Sequence, residues 1–89
     1  MPDLFPLGSL VITRGALDVL HRPDVDASLM RHRAGDWGDL CAEDVEANKA
    51  ALAQGLRVLS VYHDRSGTKF WIITEADRSV TTILLPEEY

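Results

Sequence analysis

The sequence predicts a single α+β domain over residues 1–89: a C-terminal antiparallel meander of three or four strands, with two or three N-terminal helices packed on one face. Two observations carry that reading. Within residues 57–85, three runs rich in β-branched and aromatic residues alternate with period two, the signature of strands. Upstream of them, apolar residues recur at helical spacing between capping residues, Pro and Gly.

In the meander, Val58, Ser60 and Tyr62 alternate with Leu59, Val61 and His63. Phe70, Ile72 and Thr74 alternate with Lys69, Trp71 and Ile73, and Val80, Thr82 and Leu84 with Thr81, Ile83 and Leu85. Asp64-Arg65-Ser66-Gly67 reads as a hairpin loop, because its Gly can take the positive φ that a tight reversal needs. Glu75-Ala76-Asp77-Arg78 has neither Gly nor Pro and leaves room for a helical turn or a bulge. Both faces of residues 70–74 are largely apolar, so this run is expected in the centre, covered on each side. Pro86 has no N–H to donate and ends the sheet.

Residues 1–6 hold two prolines and should form an extended N-terminal tail. Leu10-Val11-Ile12 reads as a fourth strand, at an edge of the meander or capping one end of the core. Thr13 offers a hydroxyl N-cap to a short helix that buries Leu17 and Leu20 and is broken by Pro23. Asp24 would cap a second helix with Val25, Leu29 and Met30 facing inward. Arg31, His32 and Arg33 suit the negative end of its dipole, and Gly35 its C′ position. The longest helix covers residues 42–56, with Val45, Leu52 and Leu56 buried, Glu43 and Asp44 in its first turn and Gly55 as its stop signal.

At 46% hydrophobic and 26% charged residues, the composition is that of an ordinary globular domain. A single Cys excludes an internal disulfide and a Cys-based zinc site. No leader pattern opens the chain and no apolar run is long enough to span a membrane, so a cytoplasmic protein is expected. A net charge of −5 removes the attraction behind nonspecific nucleic-acid binding, and direct contact with nucleic acid is not expected.

No phosphate cradle, dinucleotide fingerprint, nucleophile elbow or Cys/His metal spacing occurs, and the lone Cys41 reads as a small apolar residue. No catalytic residue, cofactor or metal is therefore expected. Between Ala34 and Asn48, however, five carboxylates occur without a Lys or Arg. Among them, Trp37 stands between Asp36 and Asp39, and its indole either tucks against the sheet or forms an exposed anchor in an acidic rim. Asp39, Glu43 and Glu46 share one face if the helix starts early. Helical neighbours lie about 5–6 Å apart, comparable to the roughly 7 Å between successive phosphates inferred from the rise and radius of a nucleic-acid strand.

The expected contact surface is therefore Asp36, Trp37, Asp39, Glu43 and Glu46, facing a protein partner, with a basic nucleic-acid-binding complex as the candidate. Glu75, Asp77 and Arg78, after the central strand, form a second candidate patch. In an alternative reading, Glu75 and Asp77 would serve a small metal-dependent hydrolase or nuclease-like enzyme. The chain would be a monomer, or a homodimer joined through an unpaired sheet edge.

At GDWGDL (residues 35–40) and FWIITEADRSVTTILLPEEY (residues 70–89), the chain resembles a family of small, uncharacterised bacterial proteins found on plasmids and integrative elements. These are often labelled plasmid-related proteins and sometimes a restriction-methylation subunit. The resemblance covers residues 5–89 and implies a mobile-element context, with no catalytic residues to carry over. The methylation label has no support in this chain, which is too short for that fold and lacks its motifs. Small acidic proteins of such elements include inhibitors of host defence, of the anti-restriction and anti-CRISPR kinds. The resemblance implies no established activity; taken with the acidic face, its mobile-element setting leads to the expectation of a non-enzymatic protein-binding accessory module, an acidic inhibitor of a host nucleic-acid-processing or defence complex.

Overall fold

A computed structural model describes residues 3–89, so the first two residues of the expected tail lie outside the described residues. The chain runs β1 (Ser9–Ile12), α1 (Arg14–Val19), α2 (Arg22–Arg33), α3 (Ala42–Gln54), β2 (Val58–His63), β3 (Lys69–Thr74), β4 (Val80–Leu84) and a 3-10 turn at Pro86–Glu88. The meander is present, with Tyr62 opposite Phe70 and Ile72 opposite Ile83 in antiparallel register. The strand order is β1-β4-β3-β2, and β1 lies parallel to β4, so the sheet is mixed rather than wholly antiparallel. The chain leaves β1 through three helices before returning to the sheet. A connection of that length permits parallel addition, which a tight hairpin would forbid.

The helices cover one face of the sheet. Thr13 caps α1 as expected, its Oγ1 accepting the Ala16 amide at 3.3 Å. A second acceptor comes from far along the chain: the Glu88 carboxylate takes the Gly15 amide at 3.1 Å and the Leu85 amide at 2.9 Å. α1 buries Ala16, with Leu20 at its C-cap also buried, while Leu17 points to solvent. α2 starts earlier than expected, at a His21 cap, because Pro23 fits the first turn, where its missing N–H costs nothing. Asp24 is thereby released from capping, and its carboxylate accepts the Arg65 amide at 2.8 Å and the Arg65 guanidinium at 3.0 Å. The buried stripe of α2 is Val25, Ser28, Leu29 and His32, and Met30 is exposed. α3 stops at Gly55 (φ 69°), which leaves Leu56 beyond the helix and exposed, and its fully buried residues are Asn48 and Ala51.

Two apolar clusters fill the space between helices and sheet. Val25 and Leu29 of α2 meet Tyr62, Phe70, Ile72 and Ile83, while Ala51 of α3 meets Val58, Trp37 and Phe5. The described part of the tail is thus tied down: Phe5 is buried, and the Leu4 amide donates to the Arg33 carbonyl at 2.8 Å. On the opposite face, Tyr89 packs edge-on against Trp71 with ring centroids 5.5 Å apart.

A polar file crosses the core. His32 is fully buried, with Nδ1 2.5 Å from Ser60 Oγ and Nε2 2.9 Å from Thr74 Oγ1. Thr74 meets Thr81 at 2.7 Å, and Thr81 donates to the Leu7 carbonyl at 2.7 Å. Each hydroxyl has one proton, so the direction propagates: Thr81 has used its proton, Thr74 must donate to it, and His32 Nε2–H must donate to Thr74. Nδ1 is left as the acceptor for Ser60. Burial, together with the Arg78 charge, pushes the His32 pKa down to about 4.

The outer edge of β2 is closed by side chain and loop. The Asn48 amide donates to the Leu59 carbonyl at 2.6 Å and accepts the Leu59 amide at 3.1 Å. Two residues on, Val61 N–H donates to the Trp37 carbonyl at 3.1 Å and its carbonyl accepts the Asp39 amide at 2.8 Å. Gly38, at φ 73°, makes this approach possible, since a Cβ there would sit 2.0 Å from the Val61 carbonyl oxygen.

Candidate functional site

The acidic segment leaves α2, crosses the edge of β2 and enters α3, and its side chains separate as it does so. Asp36 turns back to Arg31, which holds it through two hydrogen bonds of 2.8 and 3.1 Å, and it also accepts the Gly38 amide at 3.3 Å. The Arg31 guanidinium beside it keeps the Asp36 carboxyl below the usual carboxylate range. Trp37 is only 6% exposed and packs over Ala51 and Val58, so the exposed-anchor reading is corrected. The reason is geometric: the two backbone bonds of the loop to Val61 fix the chain against β2 and turn the indole inward.

Asp39 does not join the α3 face. The helix begins at Ala42, three residues later, and Asp39 lies 2.7 Å from His63 Nδ1 at the end of β2. Glu43, Asp44 and Glu46 project from the first turns of α3 and are exposed, Glu46 reaching Lys49 at 3.2 Å. Among the described residues, no Lys, Arg or His pairs with Glu43 or Asp44. The spacing of these helix residues was legible; the capture of Asp39 by His63, 24 residues away, had no local signal.

The second candidate patch is engaged in the fold. Arg78 adopts φ 61°, a left-handed conformation rare for a non-Gly residue. From there its guanidinium donates to the carbonyls of Leu56 (2.6 Å), Glu75 (3.1 Å) and Ala51 (3.4 Å) and lies 5.4 Å from the Phe5 ring centroid. It supplies the cation that the last turn of α3 lacks in its own sequence. Asp77 accepts the Ser79 hydroxyl and amide at 2.6 and 3.0 Å, which lowers its pKa and closes the β3–β4 turn. Among the described residues, no group of three or more His, Cys, Asp or Glu side chains is placed to hold a metal ion. Glu75 and Asp77 thus have no third ligand beside them. Cys41 is exposed and caps α3 only through its backbone.

Comparison with protein-family models, curated proteins and solved structures finds no match to this chain. Among the described residues, no helix is long and apolar enough to cross a membrane.

Proposed function

We propose that the chain is a non-enzymatic protein-binding module that offers an acidic ridge to a basic partner. The observation that supports this best is the contrast between its carboxylates. Asp24, Asp36 and Asp77 hold loops in place through hydrogen bonds, whereas Glu43 and Asp44 stand exposed without a cation among the described residues. Glu46, one turn on and paired with Lys49 at the surface, extends the ridge along α3, while Asp39 stays with His63 off that face. Exposed pairs of this kind contribute less than about 1 kcal/mol and yield readily to a stronger partner.

A row of exposed carboxylates suits the binding groove of a nucleic-acid-processing complex, whose basic residues ordinarily meet phosphates. The resemblance to plasmid-borne proteins gives this reading its setting, an accessory protein of a mobile element that inhibits a host defence or restriction complex. Capture from host lysate with the tagged chain tests it. The double variant Glu43→Lys/Glu46→Lys should lose the captured protein while keeping the wild-type circular dichroism spectrum, and capture should weaken as salt rises. Undiminished capture by the folded variant removes the ridge from the interface.

A further inference from the structure

The two outer strands of the sheet are treated differently. The edge of β2 is closed by Asn48 and the Gly38 loop, whereas β1 carries no charge, Pro or bulge, the devices that ordinarily blunt an edge. Leu10 and Val11 are 56% and 46% exposed, on opposite faces of the strand. The Ser9 amide donates to the carbonyl of Ser79, just before β4, and the Thr13 amide to that of Ile83 in β4, so the alternate residues Leu10 and Ile12 aim their N–H and C=O groups outward. Among the described residues nothing pairs with them.

We propose that β1 is a dimerisation edge: a second copy of this chain adds antiparallel to it about a two-fold axis through Val11, joining the two sheets into one. Three features select a copy of the chain over an unrelated strand. Only Leu10 and Ile12 have outward groups to exchange, and setting Leu10 opposite the partner's Ile12 satisfies both residues on both copies at once. Leu10 and Ile12 share the helix-covered face with Thr81 and Ile83, so this register also keeps all helices of the pair on one side.

The second feature is volume. A groove of about 110 Å³ runs between β1 and α2, lined by Leu10, Ile12, Val25 and Leu29. A cavity of about 150 Å³ takes a benzene molecule, so this groove has room for one four-carbon side chain, and the register brings the partner's Leu10 beside it. The third is charge. Arg22 and Asp26, an ion pair 3.8 Å apart within α2, rim the groove, and a two-fold axis runs the partner's α2 antiparallel to this one, so the rim meets both signs of charge rather than a row of one. This proposal stands apart from the acidic-ridge reading, because β1 contributes no carboxylate.

Sedimentation of the full chain at concentrations up to about 1 mM tests it. The wild type should reach about twice the single-chain mass of 9.9 kDa. Val11→Lys, which places like charges opposite each other on the axis, should return it to the single-chain mass with an unchanged circular dichroism spectrum. A wild type that stays at the single-chain mass at every concentration overturns the proposal, as does a dimer that Val11→Lys leaves intact. Should Val11→Lys fail to fold, amide exchange of the wild type decides: Leu10 and Ile12 amides that slow with rising concentration support the pairing, and exchange independent of concentration refutes it.

Discussion

Acidification between about pH 7 and about pH 5 should destabilise the protein through His32, and the size of the loss follows from its burial. The folded pKa is about 4 against an ordinary 6.5, so the unfolded chain takes up a proton first. The stability linked to His32 is therefore complete above pH 6.5, declines as pH falls from 6.5 towards 4, and is gone below 4. At about 1.36 kcal/mol per pKa unit the whole difference is about 3 kcal/mol, of which about 2 kcal/mol is lost by about pH 5. Carboxylates held below their usual range, Asp24 at about 2 and Asp36, Asp77 and Glu88 in the same direction, add their losses only in more acidic solution. Urea unfolding of the wild type and of His32→Gln across this interval isolates the effect. The variant starts less stable, since it breaks the file between Ser60 and Thr74, but its stability should fall with pH by about 2 kcal/mol less than that of the wild type. Equal pH slopes in the two proteins, or a His32 that titrates near 6.5 when folded, would refute the reasoning. Ring-nitrogen shifts should in addition show the Nε2–H tautomer that the direction of the file requires.

Four further substitutions test the structural roles. Gly38→Ala should cost more than about 4 kcal/mol in urea unfolding, because the loop must leave β2. Gly67→Ala, where no atom lies within 4 Å of the added Cβ, should cost only the backbone strain of its φ of 81°, about 1–2 kcal/mol. Asn48→Ala should lower stability by about 2 kcal/mol through the two Leu59 bonds it abandons. An unchanged unfolding midpoint would mean that water replaces the amide there. Arg78→Ala should cost about 1–2 kcal/mol by uncapping α3. It should also raise the His32 pKa, since the Arg78 charge helps to depress it; nuclear magnetic resonance titration reads that shift.

The sheet was legible in the sequence because period-two alternation, the Gly67 turn and Pro86 are local signals, each decided by one or two residues. The direction of β1 was not, because a four-residue apolar run has no feature that separates parallel from antiparallel addition. His32 stood among basic residues at a helix end and was assigned to the dipole. Its place in the 25, 28, 29, 32 stripe, the helical spacing of one face, is the signal that identifies it as core. In the acidic segment the charges were visible, but which of them the fold would engage was not. Asp39 meets His63 and Glu88 meets Gly15 across 24 and 73 residues. Trp37 could serve either role until two backbone bonds to Val61 determined its side.

The asymmetry of the sheet edges bears on whether association terminates. A β-sheet open at both ends recruits neighbours indefinitely, head to tail, with no rotation to close the series. Here Asn48 and Gly38 act as a stopper on one side, so the proposed growth through β1 would halt at a pair. Removing the stopper would let β1 of one molecule seek β2 of the next, and a closed pair would become a seed for fibres.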